Sequence, residues 1–354
     1  MIVGTREHMA ASDLDYQEHI LQGVSRTFAL TIPQLPDDLF RVVSNGYLLC
    51  RIADTIEDDP GLDAAEKRHF SESFVRVIAG ELAAESFSAE LHPLLSTSTL
   101  DAEKDLIENT ARVIRITHGF RDRQRAALER CVRIMSRGMA DFQQNKTLDG
   151  LADMAEMDRY CYYVAGVVGE MLTELFCDYS SEIDAHRPEL QKLAVSFGQG
   201  LQMTNILKDI WEDRARGACW LPREVFQRVG FDLANLAGDY RREAFALGLT
   251  ELIGIARLHL QNALSYTLLI PSHEVGIRRF CLWALGMAVL TLRKLYANMQ
   301  FTSGQQVKIS RRSVKAVVMA SNLCVSSDFL LRLLFDGFTR SLPVAENPPK
   351  AILV

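Results

Sequence analysis

The sequence predicts an all-α protein, and three observations carry that expectation. No stretch of useful length alternates apolar and polar residues with the period of two that a half-buried strand requires. Ala, Leu, Arg and Glu are abundant while only ten of 354 residues are proline, a balance that favours helix. Apolar residues recur at helical spacing in runs that open at Ser, Asp or Pro and close at Gly or Pro, the ordinary punctuation of helices.

In order along the chain, Ser12 or Asp13 can cap a first helix reaching to about Gly23. Pro33 and Pro36 interrupt the chain, Asp37 and Asp38 open the next helix, and Pro60-Gly61 stops it. An amphipathic stretch covers 63–80, and a Ser/Thr-rich connection covers 96–99. Helical patterns resume over 101–118, 122–144 and 149–176, the last with the small-residue interior Val164-Ala165-Gly166-Val167-Val168-Gly169. Pro188 opens a helix containing 193–213. Residues 214–222 include Gly217 and Pro222, cannot stay helical to their end, and read as a flap or loop. Helical patterns over 239–270, 276–299 and 313–337 complete the set. With no fixed-period repeat and no Gly/Ser linker, one all-α domain is the simplest organisation.

Composition narrows the function. With 48% hydrophobic residues the chain can bury a large core, and a net charge of −6 without a dense Lys/Arg run gives no reason to expect nucleic acid. The seven cysteines are odd in number and form no CxxC pair, which reads as reduced, buried thiols. The eight histidines show no zinc-site spacing. The N-terminus lacks an apolar signal core, and the apolar run 281–292 is too short to span a bilayer. The expectation is a cytoplasmic protein, soluble or peripheral to a membrane, with no transmembrane anchor.

The chemistry concentrates in two acidic segments, Asp54-Thr55-Ile56-Glu57-Asp58 and Asp209-Ile210-Trp211-Glu212-Asp213. In each, the outer aspartates are four residues apart, so on a helix both carboxylates leave one face a turn apart. Each segment continues an apolar run, and paired carboxylates on a groove repel each other unless a cation sits between them. Two such pairs facing each other across a bundle would gather hard cations of the kind that hold a diphosphate. Arg51 precedes Asp54 by three positions, and Asn205, Asp209 and Asp213 form a row with Gln202 and Lys208 nearby. On either helix alone, a solvated face with ordinary i,i+4 pairing accounts for the pattern equally well.

Longer blocks make the chain recognisable. Ser25-Arg26-Thr27-Phe28 followed by the segment from Tyr47 to Asp58 resembles the first signature of squalene and phytoene synthases. The segments Tyr160–Gly169 and Gln202–Asp213 resemble that family's central helix and second acidic helix. The resemblance runs from about Ser25 to Lys315. Phe280-Cys281-Leu282-Trp283-Ala284-Leu285-Gly286, with Thr291, Leu292 and Tyr296, and the later Val307-Lys308-Ile309 are similar to the squalene branch.

That resemblance implies a single-domain isoprenoid synthase (terpene synthase-like) helical bundle with a central cavity over 13–340, between flexible 1–12 and 341–354. It implies head-to-head condensation of two farnesyl diphosphates, with Mg²⁺ (or Mn²⁺) held by Asp54, Glu57, Asp58, Asp209 and Asp213. Tyr160 is implied to act with those aspartates in catalysis. Ser25, Arg26, Phe28, Tyr47, Arg51, Gln202, Asn205 and Lys208 are implied to bind substrate. NADPH would be met by Arg26, Arg51, Asn205, Lys208, Lys308 and Arg311. Three departures stand out: Lys208 where the family usually has Arg, Gly217-Ala218 in place of a Gly-Arg step, and Ser310 where a basic residue is usual in the eukaryotic branch. Alternatives are a dehydrosqualene or phytoene synthase without reductant, a presqualene diphosphate synthase, and a non-catalytic lipid-binding homologue. Product delivery is compatible with peripheral membrane association; the oligomeric state is open.

Overall fold

A computed structural model describes residues 2–25, 27–236 and 242–345, with the backbone alone for residues 2–11, 144 and 242. Among the described residues the regular structure is helical, and the one β-type pairing is an isolated parallel bridge between Leu151 and Pro222. The chain divides into two compact units: Met1–Gln144 with Glu170–Ala185, and Asn145–Gly169 with His186–Val354.

The first unit is organised by the Asp37–Asp58 helix, whose first turn carries Asp37 and Asp38, well placed for the helix dipole. Its apolar positions, among them Leu39, Val42, Leu49 and Ile56, lose essentially all contact with solvent. Each such side chain contributes on the order of 1.5–3 kcal/mol. Asn45, in the middle of this helix, is buried with its amide satisfied. It donates to Gln17 Oε1 (3.1 Å) and the Val113 carbonyl (3.0 Å) and accepts from Thr117 Oγ1 (2.8 Å). This arrangement locks three helices in register.

Two boundaries differ from expectation in this unit. The first helix spans Ile2–Val24, starting well before Ser12. Asp13 does not cap it: the carboxylate is buried and paired with Arg115 (2.8 and 2.9 Å) and Arg112 (3.2 Å). The 101–118 run is two helices, Asp101–Glu108 and Thr110–His118, broken at Asn109, whose side chain bonds back to Asp105.

In the second unit the Arg187–Lys208 helix packs along the Arg242–Leu269 helix. The Val275–Ala297 helix is long and apolar enough to cross a membrane by length and composition, yet most of it is buried inside this unit. It also carries Arg278, 2% exposed, which donates to the Ile270 and Val325 carbonyls and pairs with Asp328 at 2.7 Å. A buried arginine bonded to two carbonyls and a carboxylate marks a core helix. The 313–337 run is again two helices, Arg311–Cys324 and Asp328–Thr339, the second capped by Ser327. Six of the seven cysteines are buried as free thiols; Cys324 is partly exposed.

Candidate functional site

In the first unit, five of the expected residues form one connected line. Ser25 Oγ accepts from the Phe28 amide (2.9 Å), and the Phe28 ring lies 5.2 Å from that of Tyr47. Tyr47 donates its hydroxyl proton to the Val24 carbonyl (3.1 Å) and accepts from Arg51 Nη2 (2.9 Å). Arg51 Nη1 lies 3.8 Å from Asp54 and 3.7 Å from Glu103. Burial opposes the charge on Arg51, but Asp54, Tyr47 and Glu103 outweigh it and hold the guanidinium firmly protonated. Arg26 lies outside the described residues.

Asp54 is half-buried, and its carboxyl is pushed up to about 6 by burial, with Asp58 and Glu103 adding to the rise and Arg51 opposing it. Asp58, a turn later, is exposed. Glu57 sits on another side of the helix. It is buried, raised well above the carboxylate range by burial and by Asp58, and accepts from Gln143 Nε2 at 2.7 Å. Its oxygen is therefore engaged by the neighbouring helix. Just past the helix end, Asp59 is buried and accepts from the Gly61 amide (2.7 Å), the Ser96 amide (3.1 Å) and Thr99 Oγ1. This carboxylate serves the fold, anchoring the acidic helix to the Ser/Thr-rich connection.

In the second unit the other acidic segment is not one straight helix. The Arg187–Lys208 helix ends at Asp209, and a short helix, Ile210–Ala215, continues from it. The Asp213 amide still bonds the Asp209 carbonyl at 2.8 Å, so the two aspartates keep their one-turn spacing. Lys208 Nζ reaches Asp209 at 3.1 Å and Asn205 Oδ1 at 3.4 Å, and Asp213 pairs with Arg216 at 2.6 Å. Gln202 is half-buried on the same helix, one turn before Asn205 and Ile206.

The polar loop before Lys308 lies against this segment. Trp211 donates to the Phe301 carbonyl (2.8 Å), and the Gly304 amide donates to Glu212 Oε1 (2.9 Å). A Cβ at Gly304 would sit 3.0 Å from the Lys208 carbonyl and 3.2 Å from Asp209 Oδ1, so any larger residue would press the acidic segment aside by a few tenths of an ångström. Lys308 and Arg311 are exposed. Lys294 donates to the Lys308 carbonyl, and Ser310 caps the following helix by accepting from the Ser313 amide at 3.1 Å.

Tyr160 lies near the end of the Met154–Cys161 helix, which Asp153 caps by accepting from the Glu156 amide. The next residues, Tyr162–Gly166, form a π-helical turn, a feature often found beside functional residues. Tyr160 is buried, and its ring stacks on Trp220 at 4.2 Å with a 9° interplanar angle. Of the flap or loop expected here, the structure shows a packed loop: residues Ala218 to Leu221 are buried, and backbone bonds from Cys219 to Thr147 and from Leu151 to Leu221 pin the segment. Its free backbone groups find partners in the 147–152 strip, which local sequence did not reveal. The Gly217 φ of +78° supplies the turn into it.

Residues 21–313 match the family model for squalene/phytoene synthase. The chain belongs to the squalene/phytoene synthase family. It is 31% identical to squalene synthase 1 of Arabidopsis thaliana over 85% of this chain and 69% of that protein. To the squalene synthase of Eremothecium gossypii it is 29% identical over 79% of this chain. It spans 61% of the Eremothecium protein's length. Among solved structures, TcSQS with the ligand BPH1237 superposes with a TM-score of 0.77 at 24% identity, covering 95% of this chain and 94% of that one. A dehydrosqualene synthase with ligand superposes at 0.59 and 21% identity, covering 90% of this chain and 98% of that one. The isoprenoid synthase helical fold follows.

The family's divalent cation fits the residues present. The donors on offer are carboxylate oxygens, the hard set that Mg²⁺ prefers. Burial, with like charge from Asp58 and Glu103, raises the Asp54 carboxyl to about 6, a penalty that a cation would relieve. Glu212 Oε2 is buried without a hydrogen-bond partner. Among the described residues no three His, Cys, Asp or Glu side chains converge into a ready-made cluster. Mg²⁺ characteristically completes such a shell with water and phosphate oxygens. Lys308 and Arg311 are exposed cationic groups, of the kind that can bind phosphate.

Sequence reasoning missed Trp220, Glu212, Gly304 and Asp158. Trp220 and Gly304 carry no local signal, because each matters through a partner distant in sequence. Glu212 was visible inside the acidic segment but not as the group that holds the loop. Asp158 is buried and pushed up to about 6 by burial and then by Asp153, with Oδ1 unpartnered.

Proposed function

We propose that this chain is a squalene synthase: it joins two farnesyl diphosphates head to head into presqualene diphosphate, then ionises and reduces that intermediate with NADPH. The observation that carries the reductive reading is the packing of Gly304 against Lys208, Asp209 and Glu212, which fastens the segment leading to Lys308 onto the second acidic motif. A cofactor-binding loop in that position suits hydride delivery where a diphosphate departs.

Over the whole reaction two diphosphates leave, one proton is lost in the condensation, and one hydride is gained in the reduction. Mg²⁺ bound by Asp54, Asp58, Asp209 and Asp213 would supply charge for the leaving diphosphates. Arg51 and Lys208 add fixed positive charge, Arg51 being firmly protonated through its acidic neighbours. Tyr160, stacked on Trp220, presents an aromatic face to a carbocation. An unperturbed phenol titrates near pH 10, so its hydroxyl serves as a proton acceptor only with a departing diphosphate to relay the proton. The carbocation would need a site from which water is excluded.

Product analysis tests the reading. With farnesyl diphosphate, Mg²⁺ and NADPH the purified chain should form squalene. Without NADPH, diphosphate release should continue while products shift to presqualene diphosphate, dehydrosqualene or alcohols. The same hydrocarbon in both conditions would replace the reductive assignment with a dehydrosqualene or phytoene synthase.

A further inference from the structure

The Arg311–Cys324 and Asp328–Thr339 helices form a hairpin that packs on the Val275–Ala297 helix, all within the second unit. Helix periodicity predicts that the outer face of such a hairpin should be polar. Here it is not. Met319, Leu323, Phe329, Leu330 and Leu333 are between 41% and 78% exposed. Lys315, Met319 and Leu323 follow one another at four-residue steps down the first helix, and Phe329 and Leu333 do so on the second. The exposed apolar groups therefore gather about the turn that joins the helices.

Charge separates this face from the rest of the molecule. Residues 311–340 contain Arg311, Arg312, Lys315, Arg332 and Arg340 against Asp328 and Asp336, a net +3 in a chain of net −6. Asp328 is already neutralised by Arg278, which leaves Asp336 as the acid opposing the basic residues. Under the hairpin lies an apolar cavity of about 100 Å³, lined by Leu282, Gly286, Val289, Val317, Phe335 and Phe338. Phe338 is itself 38% exposed.

We infer that this hairpin is a docking surface for an anionic phospholipid bilayer. Large exposed apolar side chains about the turn, with Arg332 among them and Lys315, Arg311, Arg312 and Arg340 further along the two helices, match the interfacial region of such a membrane, where apolar groups enter the acyl boundary and cations meet phosphate. The net positive charge of the hairpin and its exposed Leu, Met and Phe side chains together fit an anionic lipid surface. The inference does not depend on which reaction the chain performs.

The test is co-sedimentation of the full chain with vesicles of phosphatidylcholine alone and of phosphatidylcholine with 30% phosphatidylglycerol. Binding should be strong to the anionic vesicles, weak to the neutral ones, and reduced by salt. Phe329→Glu and, on the other helix, Leu323→Glu should each lower binding at least about tenfold with circular dichroism unchanged, because both side chains are exposed. Arg332→Glu should weaken binding to anionic vesicles only. Cys324, the thiol that is not buried, offers a second readout: an environment-sensitive fluorophore there should shift to the blue on adding anionic vesicles. Absent sedimentation, or binding equal in wild type and both glutamate variants, overturns the inference. So does a lipid-free dimer in light scattering that Phe329→Glu dissolves, which would assign the face to a second copy of the chain.

Discussion

Gly198→Ala would test how tightly the second unit is built around its π-helical turn. Gly198 lies on the Arg187–Lys208 helix, where a Cβ would fall 2.2 Å from the Ala165 carbonyl oxygen, 2.5 Å from its carbon and 2.8 Å from the Gly166 amide. All three are backbone atoms of the Tyr162–Gly166 turn, so no side chain can rotate aside. Gly169 faces the Ala194 carbonyl at 2.2 Å in the same way. Ordinary contact needs more than an ångström of extra separation at Gly198, spread along a crossing that glycines hold close. Overpacking of this kind costs about 1–3 kcal/mol and sometimes more; backbone against backbone belongs at the upper end, about 3 kcal/mol. The helix-propensity gain of Ala over Gly returns at most about 1 kcal/mol. The expected net loss is therefore about 2 kcal/mol, read as a lower urea midpoint at unchanged slope. Gly337→Ala is the control: it is helical and a Cβ there meets nothing within 4 Å. It should stabilise by about 0.5–1 kcal/mol. Equal effects of the two substitutions, or a Gly198→Ala chain as stable as wild type, would refute the close-crossing argument.

Three further outcomes are expected. Asp54→Asn and Asp209→Asn should abolish turnover with near-native circular dichroism, and EDTA should do the same to wild type; activity retained in EDTA or in both variants rules out the cation role. Tyr160→Phe keeps the ring stacked on Trp220, so the rate should fall while the melting temperature holds; an unchanged rate returns the residue to packing alone. His259 is buried, its ring bonded to Ser196 Oγ at 2.8 Å, and burial pulls it down to about 4. A histidine depressed in the folded state contributes its full stability above the unfolded pKa of about 6.5 and loses it as pH falls toward 4. The difference in unfolding free energy between wild type and His259→Gln should shrink by about 2 kcal/mol from pH 7.5 to pH 5; no change would mean that the ring protonates as freely folded as unfolded.

Local chemistry in the sequence already determined the helical class and the one-turn spacing of Asp54 with Asp58 and of Asp209 with Asp213. Helical period and carboxylate repulsion depend on neighbours three or four residues away, and the acidic pairs needed nothing further to be noticed. The small-residue interior around Gly166 and Gly169 was legible too, but the close backbone crossing there is set by the fold. Tertiary structure alone decided which partner each acid meets. Glu57 and Asp59 flank Asp58 and look alike in sequence, yet Gln143 engages one, while Gly61, Ser96 and Thr99 engage the other. Asp13 reads as a helix cap but is spent on Arg112 and Arg115. Trp220 reaches Tyr160 and Gly304 reaches Asp209 only because distant segments fold together. A carboxylate or a ring has the same local signature whatever it meets; burial and the partner's position set its energy, and both belong to the fold.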